Sequence, residues 1–378
     1  MPQQQYANSL VLKTPGTSVK ASPSDVRRNN RSLIFGLLFP DSQYSRAELG
    51  RKTGLSRVAV SDVVSDMLDE GLIYENGYET KARGKGKRGT LLGVDPTRLR
   101  VITVDLSQNH LIEGAVTDLL GTPLQRNELA LSATDHVDEH TICELIKKLM
   151  VGMENVIGIS VAATGVVQDG IIRQSTVFGW HDFDLKTPIE NRFGLPVIVA
   201  NDVVCSMLAE RFFGSAGPNM LFVKLDRGIG AATLINDTAI IGENHASGEI
   251  GHISMDPDGP KCPCGKRGCL EMLVSAPLLR QQMYGAPAEK QVKILQEAGQ
   301  RVASALAMPI GLLDMDDICI YGPADIINTA FLSSAQDQLD RTTTSMFRKH
   351  ATIRRCECGP NATMRGAAIT MVRDFVDR

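Results

Sequence analysis

Apolar positions recur at helical spacing three times early in the chain and then give way to short, almost continuous apolar runs. In "DVRRNNRSLIFGLLFP", Val26, Leu33, Ile34, Leu37 and Leu38 share one helical face until Pro40 ends the run. Ser45 and Glu48 in "SRAEL" have the spacing of a capping box and open a short second helix that stops near Gly54. A third is predicted from Ser56 in "SRVAVSDVVSDMLDEG", where Val60, Val63, Val64, Met67 and Leu68 face a core and Gly71 suits a left-handed stop. The next stretch, "LIYENGYETKARGKGKRGTLLGV", alternates like a β-hairpin. Residues 1–22 are polar without sustained periodicity and are expected to form a flexible tail.

From about residue 98 the pattern is α/β. Strand-like runs "RVITVDLS", "VIGISVAA", "LPVIVAND", "NMLFVKLD" and "DICIYGP" alternate with helical stretches such as "TICELIKKLM", "VCSMLAERFF" and "ILQEAGQRVASALAMPIGLLD". Two α/β lobes around a cleft are the economical architecture for residues 98–378, preceded by a helical module over residues 23–97. No apolar run reaches the roughly eighteen residues of a membrane helix. With no secretory signal at the amino terminus, a cytoplasmic location and no membrane partner are expected.

Charge sharpens this division. The first 100 residues hold 16 Lys and Arg against 10 Asp and Glu, whereas the rest hold 24 against 33. A basic head on an acidic body points to a polyanion partner for the head alone. Two helices joined through "TGLS" make a helix-turn-helix, whose second helix would present Ser56, Arg57, Ala59 and Ser61 to base edges in a major groove. The hairpin tip carrying Lys81, Arg83, Lys85, Lys87 and Arg88 is what a phosphate-seeking wing would look like. A three-helix interaction module and a merely solvated charge run are the alternatives; the ordered combination of helices and basic hairpin favours operator DNA.

The densest chemistry lies in "GEIGHISMDPDGPKCPCGKRGCLE". His252 and the C-x-C-x4-C thiols Cys262, Cys264 and Cys269 make a plausible four-ligand zinc set, against the plainer reading of unpaired cysteines in a flexible loop. Cys143, Cys205 and Cys319 stand in apolar surroundings and read as core residues. Cys356 and Cys358 have no nearby His or third thiol, so no metal is expected there.

These segments, together with "FGWHDFDLKTPIENRFGLPVIVANDVVCSMLAE", "LDRGIGAATLINDTAIIGENHAS" and the carboxyl-terminal "MRGAA", resemble the ROK family of repressors, open reading frames and kinases. The resemblance runs from residue 98 to near the end, and the head looks like the winged helix of the family's regulator branch. It implies an actin-like, hexokinase-type body with Zn²⁺ on His252, Cys262, Cys264 and Cys269. It also implies a sugar held by Asn201, Asp202, Glu249, His252 and Glu271, a set whose plainer readings are a helix cap and two solvated carboxylates.

Asp202 matches the general base of the family's kinases. The family's phosphate loops, however, are altered. Where kinases carry D-x-G-G-T this chain has Asp105, Leu106, Ser107, Gln108 and Asn109. Where they carry G-T-G-I-G-G-G it has Asp226, Arg227, Gly228, Ile229, Gly230, Ala231 and Ala232. "YGPAD", Tyr321 to Asp325, replaces the adenosine segment. Phosphoryl transfer depends on positioning and charge stabilisation. The expectation is therefore a sugar-responsive or sugar-phosphate-responsive regulator, more a repressor than an activator, acting as a homodimer or dimer of dimers and not as an enzyme. A sugar kinase with an appended DNA-binding head is the alternative, and a regulator controlled by a protein partner is a third.

Overall fold

The computed structural model describes residues 22–79, 88–108, 110–132, 137–344, 346 and 350–378. The head begins with α1 (Pro23–Leu38), closed at its start by a reciprocal Ser22–Asp25 capping box. Strand β1 (Tyr44–Ser45) leads into α2 (Arg46–Thr53), which has the expected Ser45–Glu48 box and a left-handed stop at Gly54. Helix α3 (Arg57–Asp69) is capped by Ser56 and buries Val60, Val63, Val64 and Met67. Strands β2 (Ile73–Tyr78) and β3 (Thr90–Val94) pair antiparallel, and β1 adds to β3 to complete a three-stranded wing sheet. The hairpin stands where the sequence placed it, but burial does not alternate along it: β2 is exposed after Ile73, and Leu92, Gly93 and Val94 of β3 are all buried. Val26, expected on the buried face of α1, is 48% exposed.

The body contains two five-stranded sheets of the same design. In the first, β4 (Arg100–Leu106), β5 (Leu111–Thr117) and β6 (Pro123–Ala130) form an antiparallel meander. After α4 (Glu139–Leu149), β7 (Val156–Ala163) joins β4 in parallel. A small ribbon follows, made of β8 (Val166–Gln168), β9 (Ile171–Ser175) and β10 (Trp180–Asp184). Helix α5 (Lys186–Phe193) then returns the chain to β11 (Val197–Asn201), parallel to β7, and α6 (Asp202–Phe213) leaves the sheet.

The second sheet repeats the plan. Strands β12 (Met220–Leu225), β13 (Ile229–Ile235) and β14 (Thr238–Ile240) form its meander. The cysteine-rich loop, α7 (Glu271–Val274), α8 (Ala276–Met283) and the long α9 (Ala288–Leu313) precede β15 (Asp317–Tyr321), which pairs parallel with β12. Helix α10 (Thr329–Thr343) connects to β16 (Thr352–Arg355), parallel to β15. Helix α11 (Ala362–Val376) then returns to the first sheet and the head. The orders β11-β7-β4-β5-β6 and β16-β15-β12-β13-β14 are the same path written twice. This two-lobed α/β body with a winged head is the expected architecture. The polar edge strand β6 escaped the apolar pattern because most of its side chains face solvent. No described helix is long and apolar enough to cross a membrane.

The head and the first lobe share one hydrophobic cluster. Ile34, Phe35 and Leu38 of α1 belong with Leu99 and Val101 and with Ile369, Val372 and Val376 of α11. The Phe39 ring meets Phe212 edge-on at 5.3 Å, at the far end of α6. Arg27–Asp66 and Arg31–Glu70 ion pairs tie α1 to the carboxyl-terminal end of α3 and its cap, so these two acidic residues serve the packing of the head.

Candidate functional site

A cavity of ≈ 300 Å³ lies in the cleft and is lined by residues from both lobes, including Ser107, Asn201, Asp202, Lys224, Glu249, His252 and Glu271. The strand-to-helix junction after β11 builds its floor. Asn201 caps α6: its Oδ1 accepts the Val203 and Val204 N–H groups at 2.9 and 3.1 Å, while its Nδ2 donates to the Gly165 carbonyl at 2.9 Å. This cap places Asp202 on the first turn, 5% exposed.

Asp202 has a partner that the sequence analysis did not single out. Lys224, on β12, donates from Nζ to Asp202 Oδ2 at 2.8 Å and to Thr363 Oγ1 at 3.1 Å. Both charged side chains are almost fully buried. Burial disfavours the ammonium, but Asp202 and Asp105 outweigh it and hold Lys224 above the ordinary lysine pKa. Burial also raises Asp105, against the pull of Lys224. The missed signal was available: every position of β12 is buried, and Lys224 interrupts the apolar run "MLFVKL". A lysine inside such a strand needs an anionic partner.

The opposite wall comes from the cysteine-rich loop. Glu249 is pushed above the usual carboxylate range by burial, against an opposing effect of His252. Glu249 Oε2 lies 4.0 Å from His252 Nε2. Glu271, at the start of α7, accepts the Ile229 N–H at 3.0 Å through Oε2. Thus the five residues expected to hold a sugar line one cavity, although Asn201 is engaged in the helix cap and one oxygen of Glu271 in a backbone contact.

Behind that wall the ligand atoms of His252, Cys262, Cys264 and Cys269 lie within 4.8 Å of one another. The contacts His252 Nδ1 to Cys262 Sγ and Cys264 Sγ to Cys269 Sγ are both 3.6 Å. A tetrahedron with bonds of about 2.3 Å to sulfur and 2.0 Å to nitrogen has edges of about 3.5–3.8 Å, so donor type and spacing both fit zinc. Burial pushes the Cys262 and Cys269 thiols up, so a cation would have to draw off their protons on binding. Gly268, with φ of 59°, lets the loop close: a Cβ there would lie 1.6 Å from the Asp256 carbonyl oxygen.

The loops after β4 and β12 touch each other across the cleft. Arg227 Nη1 lies 2.9 Å from His110 Nδ1, joining the turn after β12 to the start of β5. Asp105 Oδ1 accepts the Ser107 N–H at 2.8 Å. In the "YGPAD" turn, Asp325 forms two hydrogen bonds with Arg280, at 2.7 and 2.9 Å.

At the head, Ser56, Arg57 and Ser61 are exposed along the amino-terminal half of α3, and Ala59 is half-buried. The Ser56 hydroxyl accepts the Ala59 N–H at 3.2 Å. Val58, not anticipated, is 70% exposed beside Arg57. Of the basic wing tip, Arg88 is exposed, while Lys81, Arg83, Lys85 and Lys87 lie outside the described residues.

A winged helix fused to a two-lobed, duplicated α/β body with a polar cleft defines the class. The chain belongs to the ROK family, whose sequence profile matches residues 101–374. It is 30% identical over 266 residues to the xylose repressor of Bacillus spizizenii, covering 68% of each chain. Its fold is similar to that of a ROK family transcriptional regulator described as a homolog of the E. coli MLC protein, with a TM-score of 0.76 at 22% identity, covering 93% of this chain and 97% of the other. The body alone is similar to a ROK family glucokinase from Streptomyces griseus in complex with glucose and AMPPNP, with a TM-score of 0.60 at 23% identity, covering 71% and 98%.

Proposed function

We propose that this chain is a sugar-responsive, DNA-binding transcriptional repressor without kinase activity. The observation that carries this reading is the Lys224–Asp202 pair. An ammonium occupies Oδ2 of the carboxylate and extends to Thr363, which makes Asp202 part of a fixed network whose other oxygen can accept a hydroxyl. Supporting it, Asp226 and Arg227 stand in the sequence in place of the first Gly and Thr of the kinases' second phosphate loop, and Arg227 reaches His110 across the cleft.

The ligand is a sugar or sugar phosphate whose hydroxyls meet Asp202, Glu249, His252, Glu271 and the Asn201 cap. His252, Cys262, Cys264 and Cys269 would hold zinc, which would brace the loop and orient the His252 ring beside the cavity.

Two helices connect the cavity to the head. Helix α6 starts at Asp202 and ends at Phe212 and Phe213, against Phe39. Helix α11 carries Thr363 in its first turn and Val372 and Val376 under α1. Gly366 lets the two lie in contact, since a Cβ there would lie 1.6 Å from the Cys205 carbonyl oxygen. Ligand that shifts Asp202 and Lys224 thereby displaces two packed rods of about 18–22 Å together. In a homodimer or dimer of dimers, that changes the spacing of two heads on a palindromic operator.

The test is operator binding measured across a panel of sugars and sugar phosphates without ATP, alongside phosphorylation of the same sugars with ATP and magnesium. Release by one sugar with no turnover is the expected result. Turnover of about 1–100 s⁻¹, the range of kinases, would establish the kinase instead.

A further inference from the structure

A second sulfur cluster sits where β16 hands the chain to α11, apart from the sugar cavity and the His252 loop. Cys356 and Cys358 have their sulfurs 3.1 Å apart. Cys356 Sγ donates to Glu210 Oε2 at 3.1 Å, and the same oxygen accepts the Glu357 and Cys358 N–H groups at 2.9 and 3.0 Å. Arg354 pairs with the other carboxylate oxygen of this fully buried Glu210. Cys319 of β15, which the sequence analysis placed in the core, belongs to the hydrophobic cluster against which Cys356 packs.

Metal binding and dithiol chemistry are the two possibilities for such a cluster, and distance separates them. Two thiolates on one tetrahedral ion stand about 3.8 Å apart with bonds of about 2.3 Å. These sulfurs are closer than that, and the carboxylate that would complete the ligand set already accepts four donors. Both arguments disfavour an ion and bring the thiols toward each other.

Access separates the two cysteines. Cys356 is half-buried and lines a cavity of ≈ 380 Å³ with Asp226, Tyr321, Gly322, Pro323 and Arg355, whereas Cys358 is 7% exposed and lies behind it. When Cys356 loses its proton, the thiol hydrogens of Cys319 and Cys358 remain to stabilise the thiolate, which holds it below the ordinary thiol pKa.

We infer that Cys356 and Cys358 form a dithiol–disulfide couple, oxidised by a small hydroperoxide that reaches Cys356 through this cavity. The Cys356 sulfur attacks the peroxide, the O–O bond breaks, and the sulfur becomes a sulfenic acid. The departing oxygen leaves as water or alcohol with the thiol proton. Cys358 sulfur then attacks Cys356 sulfur, and the hydroxyl leaves with the Cys358 proton as water. Two electrons pass from the dithiol to the peroxide, and one S–S bond forms. The inference does not depend on the regulatory function.

Trypsin isolates the pair, because Arg355 and Arg365 bound the peptide CECGPNATMR. Reduced full-length protein is treated with a modest excess of hydrogen peroxide, alkylated under denaturing conditions, digested and analysed by mass. The expected peptide is unalkylated, two hydrogens lighter than the dithiol, and restored by dithiothreitol. In Cys358→Ser, dimedone should trap a sulfenic acid on Cys356, and Cys319→Ala should still form the Cys356–Cys358 disulfide, only more slowly. Full alkylation after peroxide, a crosslink to the Cys319 peptide, or a second metal ion per chain that Cys358→Ser removes would each overturn the inference. The wild-type digest decides the matter even if a variant fails to fold.

Discussion

Ser32, on the first helix, donates its hydroxyl to Asp377 beside the carboxyl terminus, across 345 positions of sequence. The head therefore packs on the last helix of the body through one continuous cluster, in which Ile369 is 1% exposed.

Replacing Ile369 with Ala should cost about 2–5 kcal/mol, the usual price of an Ile-to-Ala cavity in a packed core. Because the cluster spans both parts, the head and first lobe should lose structure together. Thermal unfolding followed by hydrogen exchange on peptides from α1 and from β4 measures this, and a head that melts alone while β4 keeps its stability would contradict the shared core.

Removing one partner of the buried Lys224–Asp202 pair should be more damaging than removing both. Lys224→Met leaves Asp202 and Asp105 without their cation and should cost about 3–5 kcal/mol, with part of the loss recovered when Asp202→Asn is added. The pH dependence has a definite sign. The folded Lys224 pKa is raised, so its stabilisation is complete below the unfolded lysine value of about 10.4 and declines as pH rises above it toward the folded pKa. Denaturant titrations of wild type and Lys224→Met should thus show a constant difference from neutral pH to about pH 10, narrowing above. A difference that narrows near neutrality would point to another group.

The four-residue cluster around His252 should hold about one zinc per chain. Cys264→Ser should lose metal and weaken the thermal stabilisation by the effector sugar, since Glu249 and His252 come from the same loop. Metal analysis together with sugar-dependent melting measures both effects, and unaltered sugar response in a metal-depleted variant would remove zinc from the design.

On DNA, Arg57→Ala should cost on the order of 1–3 kcal/mol and relax base preference at one position, if its exposed guanidinium reads a base. Replacing Lys85 and Lys87 should instead weaken all sequences and flatten the salt dependence. Anisotropy titrations over operator variants and salt concentrations separate the two patterns. Equal losses on every sequence for Arg57→Ala would assign that residue to the phosphate backbone.

Local chemistry was legible in the chain itself. The Ser45–Glu48 box, the helix end near Gly54, the helix start at Ser56, the left-handed Gly71 and the period of α3 depend on residues within one or two turns, and each stands where spacing put it. The His252 cluster was legible for the same reason: its ligands lie within eighteen positions of one another, and few other purposes bring three thiols so close in a loop. Only tertiary structure decided which distant groups meet. Lys224 reads as an intrusion in an apolar strand until β12 brings it to Asp202 and α11 brings Thr363. Cys356 and Cys358 read as a pair without a third thiol until β15 sets Cys319 beside them and α6 delivers Glu210. Periodicity records which face of an element is buried; it carries no record of what covers that face, because pairing between strands and packing between helices join residues separated by long and arbitrary lengths of chain.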